Sequence, residues 1–176
     1  MFRKSAVVMS LMGFAAAVSS GALAEAGGNT NASIAGKVAR GPTTTACGAL
    51  GKFKVLTDDT LSKWTGSTGF VDIPNGEMTF SVSGPAASCV IVSFSSNAYA
   101  AGRAAEFVQA VIDSSAVAKP GPVQFAASDG TYNFAKSFDF IFPAVAPGTH
   151  TVKMQFRSFD GQIVFINKHT MMLNFR

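Results

Sequence analysis

The chain has 176 residues, of which 48% are hydrophobic, with 14 Lys and Arg against 10 Asp and Glu, for a formal net charge of +4. The cations are spaced singly and never cluster, which excludes the basic footprint of a nucleic-acid or anionic-membrane partner. Two cysteines and two histidines, all far apart in sequence, offer no ligand spacing for a metal, and no cofactor motif occurs.

The first residues read as an export signal. Arg3 and Lys4 supply a positive start, residues 6–18 are an uncharged apolar run too short for a stable span, and Ala22-Leu23-Ala24 places small residues where a signal peptidase needs them. Cleavage after Ala24 is expected, with residues 1–24 as the signal peptide. No Cys stands at that point to carry a lipid anchor, and no later apolar run is long enough to insert in a membrane. The protein is therefore expected to be secreted or periplasmic.

Removal of the signal leaves 152 residues at a net charge of +2, a length at which one domain buries a real core. Fourteen Phe remain to fill it. In an oxidising compartment Cys47 and Cys89 read as a disulfide, closing a loop that the chain-entropy model values at roughly 4 kcal/mol. Residues 25–36 are small and polar and are expected to be a flexible tail, leaving 37–176 as a single domain.

From there the chain is punctuated by strands. Residues 53–56 put Phe53 and Val55 on one side. Asp58-Asp59 suggests the cap of one helical turn that brings Leu61 and Trp64 together, the alternative being an irregular loop with Trp64 over an edge. Residues 70–73 form a short strand stopped by Pro74-Asn75-Gly76, after which Met78, Phe80 and Val82 alternate with polar residues. Residues 89–94 are nearly continuously apolar, as in a central strand covered on both sides. Residues 95–105 are small and read as a loop. In 106–112, Val108, Ala110 and Ile112 share a face, and Asp129-Gly130 marks a hairpin turn.

The last quarter alternates most plainly. Phe138, Phe140 and Phe142 share one face; Val152, Met154 and Phe156 follow the Pro147-Gly148 turn; Asp160-Gly161 predicts a tight hairpin. A return strand at 163–166 and a last strand with Met171, Leu173 and Phe175 on one side complete a predicted meander. Eight to ten short strands at about ten-residue spacing, with no amphipathic helix, predict an all-β fold. The expected form is a two-sheet antiparallel β-sandwich, jelly-roll or immunoglobulin-like.

The order of these pieces over roughly 70–175 resembles a recurrent pattern in exported bacterial β-sandwich proteins of unknown function. Its most specific stretch is Pro147-Gly148-Thr149-His150-Thr151-Val152. The resemblance implies the fold and brings no activity with it.

Chemistry is sparse. His150, two residues before Val152, shares the core-facing side of its strand and is read as a pin for the Pro147-Gly148 turn or as a functional base. The carboxylates are scattered, Asp129 and Asp160 are turn formers before Gly, and no catalytic motif occurs. Trp64, Tyr99 and Tyr132, with polar tips suited to a half-wet position, are candidates for a binding platform beside His150. A non-catalytic binding or structural module of the cell envelope or extracellular space is the expected function, with a protein or carbohydrate ligand. The alternatives are a subunit of a surface assembly such as a chaperone–usher pilin and, behind it, a secreted hydrolase.

Overall fold

Alternation of apolar and polar side chains, repeated strand after strand, can be satisfied only by sheets that share a dry face. In the computed structural model, which describes residues 47–127 and 134–176, ten strands do this. They are β1 (Lys52–Asp58), β2 (Lys63–Thr65), β3 (Val71–Val82), β4 (Ser88–Ala100), β5 (Ala105–Ile112), β6 (Ala116–Val117), β7 (Val123–Ala127), β8 (Phe134–Val145), β9 (Gly148–Ser158) and β10 (Val164–Phe175). The signal segment 1–24, the tail 25–36, the Asp129-Gly130 turn and Tyr132 lie outside the described residues.

The strands form two antiparallel five-stranded sheets. The first runs β1-β10-β4-β8, with β2 continuing the β1 side of β10; the second runs β3-β9-β5, with β6 and β7 along the far side of β5. With the short β2 and β6 flanks set aside, eight main strands divide four and four, and the chain crosses between sheets at almost every connection. This is the jelly-roll order rather than the immunoglobulin-like one. Both sheets run unbroken from edge to edge, and the C-terminal strand β10 sits inside its sheet, between β1 and β4. That leaves no vacant strand position of the kind a pilin-type donor strand fills among the described residues.

The core lies between the sheets. Val90, Val92, Phe94, Phe140, Phe142, Met171 and Leu173 face Phe80, Val108, Val152, Met154 and Phe156, all buried. Phe80 meets Phe175 edge-on across the gap at 5.2 Å. The Cys47–Cys89 disulfide forms and ties the segment before β1 to the start of β4.

Several expectations need correction. The C-terminal meander does not exist: β8 and β10 belong to the first sheet and β9 to the second, so the Pro147-Gly148 and Asp160-Gly161 turns carry the chain across the core. Both glycines adopt positive φ, +137° and +85°. In the same way β7 and β8 lie in different sheets and are not a hairpin. Alternation reports that one face of a strand is buried, and it is silent on which neighbour buries it.

The separate strands at 163–166 and 171–175 are one strand, β10, with an irregularity between Ile166 and His169. There the buried positions change from even (Val164, Ile166) to odd (His169, Met171, Leu173), which is what a bulge does to the side-chain phase. Pro74-Asn75-Gly76 is likewise an irregularity within β3, with Asn75 at φ +60°, and not a stop. Residues 95–100 are strand and not loop: Ser96, Ala98 and Ala100 occupy the core face of β4, where small side chains hid the period.

No helical turn forms at 58–64. The Asp58 carboxylate accepts from the Thr60 N–H two residues on, at 2.8 Å, and pairs with Lys63 at 3.0 Å. Such a bond starts a turn instead of a helix. Lys63 is buried by this pairing, which leaves Trp64, its neighbour on β2, facing out.

Candidate functional site

Because opposed residues in an antiparallel pair share a face, the register maps the outer surface of the first sheet directly. Trp64 on β2 lies opposite Phe165 on β10, which lies opposite Tyr99 on β4. The Tyr99 and Phe165 rings stack at 4.2 Å and 8°. Trp64 is 61% exposed. One row of three aromatic residues therefore crosses three strands on the solvent side.

The next rows are different. Thr57, Thr170, Ser95 and Ser137 stand in line across β1, β10, β4 and β8. Thr57, Thr170 and Ser95 line, with Asn97 and Lys168, a shallow groove of about 210 Å³. The β10 bulge at 167–168 lies between this groove and the aromatic row. Lys168 and Asp59 form an exposed pair at 3.4 Å on its rim. Beyond the hydroxyl row, Val55 opposes Met172, and Phe53 opposes Asn174. Phe53 and Val55, which the sequence puts on one side of the strand, are 73% and 52% exposed; Leu56, of the opposite parity, packs on the core.

His150 lies elsewhere, on β9 in the second sheet. Its Nδ1 is 2.7 Å from Asp113 Oδ2 and its Nε2 is 2.8 Å from the Ala146 carbonyl oxygen. Neither acceptor carries a proton to give, so both ring nitrogens donate and the ring is an imidazolium. The hydrogen bond to Asp113 raises the His150 pKa, and the same bond lowers that of Asp113. Asp113 also accepts from the Thr151 N–H at 3.0 Å. The arrangement clamps the turn after β5 to the turn before β9. It leaves no lone pair on the ring for a proton, a metal or a nucleophile's hydrogen, so the hydrolase alternative finds nothing to use here.

This clamp carries a pH signature. A His with a raised folded pKa contributes stability that is fully present below its unfolded value, 6.5, and is lost as pH rises through the folded value. Asp113 contributes above its unfolded value of 3.8 and loses that contribution as pH falls through its lowered folded value. We expect His150→Ala to cost about 1–3 kcal/mol at pH 5.5 and distinctly less at pH 9. Equal losses at the two pH values in paired denaturation curves would contradict the imidazolium assignment.

His169, on the core face of β10, is 2% exposed; its Nε2 donates to the Asn75 carbonyl oxygen at 3.3 Å, and Nδ1 has no partner. Burial lowers its pKa, so it is neutral. Besides His169 and the ion-paired Lys63, Glu106 is buried outside the clamp. It is fully buried on β5, neither carboxyl oxygen has a hydrogen-bond partner, and burial pushes its pKa up to about 9 against the opposing pull of Lys136. Among the described residues no three His, Cys, Asp or Glu side chains converge as a metal site.

The structure thus brings two of the sequence candidates, Trp64 and Tyr99, into one row and leaves His150 apart. Sequence reasoning missed Phe165, Asp113 and the groove residues. For Phe165 a signal existed, since it is out of phase with Val164 and Ile166 and so must point outward. For Asp113 none existed, because 37 residues and two crossings between the sheets separate it from His150.

No protein-family model matches the chain, and no curated protein matches it. Among solved structures, the chain is similar to the C-terminal family 6 carbohydrate-binding module of LamC, a marine laminarinase from Zobellia galactanivorans. The TM-score is 0.37 at 10% identity, covering 68% of this chain and 98% of that one. It is also similar to a family 35 carbohydrate-binding module from an environmental isolate, at a TM-score of 0.36 and 17% identity, covering 71% and 86%. Both superpositions are loose, and what those modules bind is a property of those modules.

Proposed function

We propose that this protein is an exported, non-catalytic binding module whose ligand is a carbohydrate held across the outer face of the first sheet. The observation that carries the reading is the solvent-facing Trp64–Phe165–Tyr99 row beside a groove lined with hydroxyl and amide side chains. A sugar ring has a face of C–H groups and a rim of hydroxyls. Aromatic faces suit the first, and Ser, Thr and Asn side chains, which both donate and accept, suit the second. A protein-binding surface of this size would be richer in buried apolar anchors and poorer in small hydroxyls. The groove crosses four strands at about 4.8 Å spacing, which gives room for a chain of several sugar units lying across the strands. The disulfide supports an oxidising compartment, and with the signal-like N-terminus it supports export.

The test is a titration calorimetry panel of neutral linear oligosaccharides, repeated on Trp64→Ala and Tyr99→Ala. Both positions are at the surface, so the fold should be kept, with Trp64→Ala changing stability by no more than about 0.5 kcal/mol. We expect Trp64→Ala to weaken the best ligand of the panel at least about tenfold, equivalent to about 1.4 kcal/mol. A ligand whose affinity ignores both substitutions would place the site off this face and sink the reading.

A further inference from the structure

At one end of the sandwich, away from the aromatic row, lies a cavity of about 380 Å³ between the turn after β5 and the connection from β8 to β9. We propose that it is a second binding site, for a small amphipathic carboxylate: an apolar body with one anionic group.

The walls argue for the apolar body. Ile112, Phe142 and Val145 are nearly fully buried and form the depth of the cavity, while Val117, an apolar residue left largely exposed on β6, stands at its mouth. A cavity of about 150 Å³ takes a benzene ring; in the same proportion this one takes about fifteen non-hydrogen atoms. A volume of several hundred Å³ with apolar walls and a few convergent polar groups is the usual form of a small-molecule site. A sugar, polar around its rim, would leave its hydroxyls unpaired against such walls.

The rim is built in advance of any ligand. Asp113 and Ser114 hold positive φ, +50° and +61°, a conformation rare for residues with a Cβ. The bonds from Asp113 to His150 and to the Thr151 N–H fix that turn to β9. On the other side Lys119 exchanges both backbone hydrogen bonds with Ile141, each at 2.8 Å. Walls held this way lose little freedom on binding, which favours affinity.

The charge argues for the anion. Three charged side chains line the cavity: Asp113, His150 and Lys119. The first two neutralise each other. Lys119 makes no ion pair with a carboxylate among the described residues, so the lining carries one uncompensated positive charge. A ligand carboxylate is its complement.

Phenylbutanoate and phenylbutanol share one apolar body and differ in the anionic group, and both can be titrated against the full protein by NMR. We expect the carboxylate to bind at least about tenfold more tightly than the alcohol at low salt. Lys119→Met should erase that preference while leaving the alcohol's affinity unchanged. Val117→Glu, at an exposed position, should weaken the carboxylate by a similar factor, and Ala144→Trp, filling the cavity from the exposed side of β8, should abolish both. Trp64→Ala should alter neither, which separates this site from the carbohydrate face. Equal affinity for the two probes, no shifts at about 10 mM of either, or shifts that persist unchanged in both Val117→Glu and Ala144→Trp would overturn the proposal.

Discussion

Replacing Glu106 with Leu should stabilise this protein, and by more as the pH rises. The side chain is fully buried between Val108 and Ala104 on the core side, with both oxygens unpaired. A buried polar group without a partner costs about 1–3 kcal/mol even when neutral, so a gain of that size is expected at pH 5. The pH term comes on top. Glu106 has a folded pKa of about 9 against 4.5 when exposed. Between those values the unfolded chain has released a proton that the folded protein still holds. Stability therefore falls with rising pH, by about 1.4 kcal/mol per unit, and the Leu variant lacks that slope. Lys136, across the sandwich on β8, opposes the burial without cancelling it. Denaturation midpoints of parent and variant at pH 5 and pH 8 decide the matter. The His150 clamp weakens equally in both proteins over this range, so it drops out of the difference. A difference that stays constant from pH 5 to pH 8 would mean that Glu106 is solvated or paired in the folded state.

Ending the chain at residue 170 should abolish cooperative folding. The truncation removes Met171, Leu173 and Phe175, each almost completely buried. Each contributes roughly 1.5–3 kcal/mol by burial alone, and together they approach the 5–15 kcal/mol that holds a typical domain together. Position makes the loss worse than the area suggests. These residues pair with Leu56, Lys54 and Lys52 of β1 on one side and with Phe94 and Val92 of β4 on the other. Without them β1 keeps only its Thr57 and Asp58 pairings, and residues 91–94 of β4 are left as an unpaired edge. A cooperative melt near the parent temperature would show that β10 is dispensable. By contrast, the substitutions proposed on the outer face remove side chains that are already partly in water, and they should leave the melting temperature nearly unchanged.

The outer face of the first sheet and the end-on cavity both depend on features that look like departures from regular sheet. The bulge at 167–168 separates the aromatic row from the hydroxyl row and brings Lys168 to the groove. The positive-φ turn at 113–114 shapes the cavity mouth and aims Asp113 at His150. Irregular backbone recurs beside functional surfaces because it redirects side chains that a regular ladder would hold in strict alternation.

By itself the sequence determined that this is an all-β sandwich, that Val152, Met154, Phe156, Met171, Leu173 and Phe175 are core, and that Cys47 and Cys89 pair. These properties follow from the period of each strand and from the number of cysteines, both of which are local or countable. The same periodicity already put Glu106 in line with Val108, Ala110 and Ile112 and Phe165 opposite Val164 and Ile166, although neither consequence was evident without a map of the faces. The tertiary structure alone decided which strands are neighbours. It turned an expected C-terminal meander into two crossings of the core and joined two half-strands through a bulge. It set Trp64, Phe165 and Tyr99 in one row from three distant stretches, and brought Asp113 to His150. The reason is physical. Burial constrains one face of a strand strongly enough to leave a period in the sequence, whereas the choice of partner is made by the summed packing of both sheets, to which no single stretch of chain bears witness.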